Sequence, residues 1–171
     1  MSVFTPLERP ELEAFLEPYG LGRLKDFQGI AAGSENSNFF ISLEGGEFVL
    51  TLVERGPRAD MPFFIELLER LHQAGLPVPY AVPTQGGEAL RELAGKPALL
   101  QPRLAGKHVS QPNAHHCAEI GAWLARLHLA TREQILERRS DRGLDWMLEE
   151  GPVLALELHD ELFEEQPDER A

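Results

Sequence analysis

Two short runs of β-forming residues meet at a pair of glycines. Phe39, Phe40, Ile41, Ser42 and Leu43 lie before Gly45-Gly46, and residues 47–53 lie after it. A glycine pair lets the backbone reverse through conformations that a Cβ disfavours, so the stretch is constrained to an antiparallel hairpin. A further apolar run at residues 27–32 precedes the hairpin. The polar segment Gly33-Ser34-Glu35-Asn36-Ser37-Asn38 separates the two. Three strands and a polar connection are therefore expected within some thirty residues.

The flanking segments alternate differently. Residues 10–16 read as a short helix with Leu12, Phe15 and Leu16 on one face, ended by Pro18-Tyr19-Gly20. Residues 61–74 carry Phe64, Ile65, Leu68 and Leu71 at helical spacing, and Gly75 stops them. Leu76-Pro77-Val78-Pro79 must be extended, because proline disfavours helix at the residue before it. Gly86-Gly87 marks a second turn, with short strands expected at residues 89–93 and 97–101 and a connector after them. Residues 113–131 form the clearest helix, with Cys117, Ile120, Leu124 and Leu127 on one face. A shorter helical piece is expected at residues 145–150, and the tail from residue 154 alternates apolar and acidic residues. The order of helix, three strands, helix, two strands and helices predicts an α+β fold with a five-stranded antiparallel sheet. Strands and helices do not alternate as a parallel nucleotide-binding sheet requires.

Composition narrows the function classes. Of 171 residues, 43% are hydrophobic and 26% charged, which is globular usage, and the net charge is −12. A surface this acidic repels a phosphate backbone, so no nucleic-acid partner is expected. A phosphate-bearing cofactor is not excluded, because backbone N–H groups and a bound cation can hold phosphates locally. The single Cys117 permits no intrachain disulfide, which suits a reducing compartment. No apolar run reaches the roughly 20 residues that span a bilayer, and no secretory signal is visible, so a cytoplasmic protein without a membrane partner is expected.

The polar segment carries the candidate chemistry. Between paired strands it can aim backbone N–H groups at phosphate oxygens. Small residues such as Gly33, Ser34 and Ser37 let the backbone come close, and Asn36 and Asn38 add side-chain donors.

Three phrases in sequence make a resemblance. They are residues 33–40, then Phe48-Val49-Leu50-Thr51-Leu52, then Gly75-Leu76-Pro77-Val78-Pro79. With Leu124-Ala125-Arg126-Leu127-His128 they resemble the aminoglycoside- and choline-kinase-like group of the protein-kinase-like fold, and within it the bacterial homoserine kinases. The resemblance implies a small nucleotide-binding lobe at residues 1–104. The first helices of a truncated large lobe follow at residues 105–171. It implies ATP and Mg²⁺ as cofactors and L-homoserine as the small-molecule acceptor, its hydroxyl phosphorylated on the way to threonine. Gly33, Ser34, Glu35, Asn36, Ser37 and Asn38 would face the phosphates. Gln101, Arg103 and Leu104 would lie at the hinge beside the adenine edge, and Glu66 is the possible helix carboxylate.

The sequence also departs from that pattern. Kinases of this fold place a lysine in the third strand, and Thr51 stands there. Arg55 is a weak candidate partner for the helix carboxylate. The Asp and Asn of a catalytic loop and the metal-binding Asp are not found. His159-Asp160 has the wrong spacing and reads as helix surface. No catalytic residue and no metal ligand is therefore assigned, and a chain short of its catalytic loop is expected. The alternative is a non-catalytic kinase-like module that binds a nucleotide or a partner. His115 and His116 point about 100° apart on a helix, so they do not share one ion. Cys117 is expected to be a buried thiol and His128 a packed histidine. With large-lobe surface lacking, the helix at 113–131 should expose Ile120, Leu124 or Leu127 and promote self-association.

Overall fold

The computed structural model describes residues 3–31, 35–133, 136–138 and 143–164, with the backbone alone for 157–164. The chain divides into two compact units, residues 1–136 and 137–171.

In the first unit, helix α1 (Arg9–Leu16) opens with Pro10, whose fixed φ suits a first turn, and runs into a single 3-10 turn, Glu17–Tyr19. Strands β1 (Leu24–Gly29), β2 (Ser37–Leu43) and β3 (Gly46–Leu52) follow as an antiparallel meander. Helix α2 (Met61–Gln73) comes next, then β4 (Arg91–Leu93) and β5 (Lys96–Pro102). The sheet order is β1-β2-β3-β5-β4, and every neighbouring pair is antiparallel. The five-stranded antiparallel sheet expected from the sequence is present.

Alternation along the strands makes the core. Phe39, Ile41 and Leu43 of β2, Phe48, Leu50 and Leu52 of β3, and Ala98 and Leu100 of β5 are buried on one face. They pack against Leu12, Phe15, Leu16 and Tyr19, the apolar side of α1 and its 3-10 turn. Burying a leucine such as Leu50 contributes roughly 1.5–3 kcal/mol, which orients the sheet toward α1. A second cluster joins Leu71 of α2 to Leu76 and Val78. Helix α3 (Ala114–Thr131) closes it with Trp123, Leu127 and Ala130. Asn113 caps α3, accepting from His116 N while the His116 ring accepts from Asn113 N.

Several boundaries differ from expectation. β1 begins at Leu24 rather than residue 27, because pairing with β2, not apolarity, sets its length; a register shift between Leu24 and Asp26 lets a polar edge strand pair. Ser37 and Asn38, read as loop, open β2 opposite Leu52 and Thr51. The turn joining β4 and β5 is Ala94-Gly95, with Ala94 at φ 51°, while Gly86-Gly87 lies in the approach to β4. Cys117 and His128 are exposed rather than buried, because α3 is covered along one stripe only. Of the face singled out on α3, Leu127 packs inward, whereas Ile120 and Leu124 are 67% and 45% exposed.

The second unit contains helix α4 (Leu144–Glu164), which is far longer than residues 145–150 and contains Pro152. The alternation read in the tail is thus carried by a helical backbone as far as Glu164. His159 and Asp160 lie in that helix, and their side chains are outside the described residues.

Candidate functional site

The face of the sheet turned away from α1 carries the polar residues. Asn38, Phe40 and Ser42 of β2, Glu47, Val49 and Thr51 of β3, and Leu99 and Gln101 of β5 alternate with the core positions and so share this face. Strand pairing brings residues 13 and 50 positions apart in the chain together. The Thr51 hydroxyl donates to Asn38 Oδ1 at 2.7 Å, and Gln101 Oε1 lies 3.5 Å from the same hydroxyl. Asn38 Nδ2 donates to the Asn36 carbonyl at 3.3 Å. Asn36 Oδ1 accepts from the backbone N–H of Glu54 at 3.3 Å. A polar line therefore crosses three strands at the end of the sheet where the β1–β2 connection leaves it.

The other end of this face is built differently. The Arg103 guanidinium lies 4.1 Å from the centroid of the Phe40 ring and 3.7 Å from Glu47 Oε2. Arg103 N donates to Glu47 O at 3.1 Å, and the Ser42 hydroxyl donates to Glu47 Oε1 at 2.6 Å. Gln101 belongs to β5, and Leu104 is 46% exposed. Phe40 and Val49, cross-strand partners, make the apolar floor between the two ends.

Of the residues singled out in the connection, Gly33 and Ser34 lie outside the described residues. Glu35 is exposed and Asn36 half-buried. Ser37 is fully buried and turned to the core face. Its hydroxyl accepts from the backbone N–H groups of Phe4 and Thr5 at 2.8 and 3.0 Å and donates to Glu54 Oε1 at 2.5 Å. Glu66 pairs with Arg70 one turn along α2.

Glu54 was not legible as a site residue. In Val53-Glu54-Arg55 it reads as a solvated charge after a strand. Its side chain is 7% exposed and pairs with the Lys96 ammonium, with the hydroxyls of Thr5 and Ser37 on its other oxygen. Each partner is remote in sequence, so no local pattern marks the cluster.

A cavity of about 610 Å³ lies elsewhere, against α1 and the segment before β1, lined by Glu13, Leu16, Glu17 and Arg23 among others; among the described residues, none of the expected site residues lines it. Two acid–base groups near that side are displaced. Burial pushes the Tyr19 phenol up, against the opposing Arg91 guanidinium. The Arg23 backbone N–H, and then its guanidinium, hold the Glu44 carboxyl below its ordinary value.

Comparison with known proteins gives the family. Residues 26–170 match the model of the phosphotransferase enzyme family. The chain is 75% identical over 155 residues to homoserine kinase of Pseudomonas aeruginosa, covering 91% of this chain and 49% of that protein. It is 40% identical over 148 residues to homoserine kinase of Methylobacillus flagellatus, covering 86% and 46%. The chain thus spans about half the length of the curated relatives it matches. Among solved structures, amicoumacin kinase in complex with AMP-PNP, Ca²⁺ and Ami aligns at TM-score 0.67 and 19% identity, over 89% of this chain and 53% of that one. Spectinomycin phosphotransferase with ADP and spectinomycin aligns at 0.60 and 14%, over 96% and 60%. At these identities the solved structures establish the fold.

Proposed function

The chain belongs to the phosphotransferase enzyme family, and on that premise we propose that it is the nucleotide-holding part of an ATP-dependent kinase that phosphorylates the hydroxyl of L-homoserine. The observation that carries the nucleotide half of this reading is the polar line from Asn36 through Asn38 and Thr51 to Gln101, laid across the face of the sheet turned away from α1. The homoserine kinases at 75% and 40% identity support the acceptor.

In this reading residues 1–104 form the small lobe and residues 105–171 begin the large one. Backbone N–H groups of residues 33–38 meet the phosphates, with Asn36 and Asn38 nearest. The base lies over Phe40 and Val49. Arg103 N is already committed to Glu47 O, and Pro102 has no N–H. Leu104 is left as the amide donor for the base edge. Thr51 replaces a lysine, so positive charge at the phosphates falls to the accompanying Mg²⁺. When bound, that ion would supply positive charge against the phosphates; no residue of this chain is assigned to it. Glu66, paired with Arg70 one turn along α2, is the helix carboxylate in this reading.

The remaining assignments follow the same reading. The protein is cytoplasmic and has no nucleic-acid or membrane partner. Among the described residues no helix is long and apolar enough to cross a membrane. The exposed Ile120 and Leu124 of α3 support self-association.

Calorimetric titration with ATP–Mg²⁺, beside an Asn36→Ala/Asn38→Ala variant of unchanged circular dichroism, tests the nucleotide site. Saturable binding lost in the variant is expected. ADP release with L-homoserine, choline or an aminoglycoside is then followed in a chimera that appends the remaining half of the Pseudomonas aeruginosa homoserine kinase to this chain. Release with L-homoserine and not with the others is expected; no release with any acceptor would leave a nucleotide-binding module in place of the kinase.

A further inference from the structure

Behind the polar line, on the core face of the same sheet end, four segments converge on one residue. Glu54 Oε1 accepts from the hydroxyls of Thr5 and Ser37, at 2.7 and 2.5 Å, and Oε2 accepts from the Lys96 ammonium. The backbone N–H of the same residue donates to Asn36 Oδ1 on the connection itself. Ser37 relays the contact, since its hydroxyl also takes the N–H groups of Phe4 and Thr5. The chain's first described residues, the start of β2, the start of β5 and Asn36 are thus tied through Glu54.

A buried carboxylate is a poor choice for stability alone. Removing it from water costs several kcal/mol, and its ion pair with Lys96 returns about as much only with good geometry. Replacing such a group whole by apolar residues of like volume is often neutral, whereas removing the carboxylate alone strands its three donors. What the carboxylate supplies instead is direction. Its two oxygens have several lone-pair sites, and three donors from remote segments fill them from set angles. Asn36 and Asn38 are held at the mouth of the open face, and the same end is closed on the other side by the hydrogen bond from Ile30 N to Asn38 O at 2.8 Å. The side facing a ligand stays clear, because every Glu54 side-chain contact comes from the core face.

We infer that Glu54 is a positioning residue for phosphate binding: acting through Ser37 from the rear of the sheet, its carboxylate holds residues 35–38 in the shape that receives the phosphates. This rests on the nucleotide reading above. Glu54 touches no ligand atom in it, so a change at Glu54 should act on the phosphate end of a nucleotide and not on its base.

The experiment compares ATP–Mg²⁺ with adenosine as calorimetric ligands of the wild-type chain, Glu54→Gln and Glu54→Ala. Amide hydrogen exchange of residues 35–38 is followed in the ligand-free proteins. Glu54→Ala should weaken ATP about tenfold while adenosine stays within about twofold. Glu54→Gln, which keeps an acceptor for the two hydroxyls, should lie between and stands in if the alanine variant does not fold. Exchange at 35–38 should quicken in both variants while residues 39–43 keep their protection. A parallel loss of ATP and adenosine, or unchanged exchange at 35–38, overturns the assignment. If the wild-type chain binds neither ligand, the nucleotide reading fails and the phosphate role of Glu54 with it; the exchange data still show separately whether Glu54 orders the connection.

Discussion

The Thr51 hydroxyl donates to Asn38 Oδ1 at 2.7 Å, straight across the β2–β3 pair. An uncharged residue there is tied to the polar connection by a neutral hydrogen bond. Replacing Thr51 by Val keeps the shape and removes the donor, leaving Asn38 Oδ1 without it. A loss of about 1 kcal/mol is expected, read as a lower urea midpoint at unchanged m-value. Thr51→Ser, which keeps the hydroxyl, should recover most of it.

Tyr19 is buried, and its hydroxyl makes no hydrogen bond of good geometry among the described residues, although the Arg91 guanidinium lies over its ring at 5.8 Å. Burial favours the neutral phenol and raises its pKa. The unfolded chain then loses its proton first as pH rises. The stability tied to the neutral phenol is full below a pH of about 10 and falls as pH climbs through the folded value. Tyr19→Phe should leave stability at pH 8 unchanged or raise it by up to about 1 kcal/mol. The gap between variant and wild type should widen above about pH 10. Urea midpoints at both pH values check this; a gap that narrows would refute it.

Gly45 approaches the chain more closely than any side chain allows. Its N–H donates to Leu21 O at 2.8 Å, and a Cβ added at Gly45 would stand 2.7 Å from that same oxygen. The obstacle is backbone and has no rotamer to yield. Gly45→Ala should cost about 1–3 kcal/mol by parting the β2–β3 turn from the segment after α1. Gly87→Ala is the comparison, since nothing lies within 4 Å of its added Cβ and only its φ of 86° opposes the change.

On α3, Ile120 and Leu124 are one turn apart and exposed. Sedimentation velocity over a wide concentration range should show reversible self-association that Ile120→Glu/Leu124→Glu abolishes. Its unfolding midpoint should stay within about 0.5 kcal/mol of wild type, because neither residue is buried. A monomer at every concentration in the wild type would remove the proposal.

Much of the scaffold was legible because its signals are local. Gly45-Gly46 between apolar runs, helical spacing in residues 61–74 and 113–131, and the absence of charge at Thr51 are all read within a few positions. These determined the antiparallel sheet, helices α2 and α3, and an uncharged residue in the third strand. Tertiary pairing decided the rest. β1 takes its limits from β2, and Ser37 becomes a strand residue because Leu52 stands opposite it. Cys117 and His128 are exposed because only one stripe of α3 is covered. The cluster at Glu54 joins Thr5, Ser37 and Lys96, up to 49 positions away, and hydrogen bonding between such residues leaves no periodic trace in the chain. Apolar periodicity records which face is buried; which polar groups meet is settled only when the strands are laid side by side.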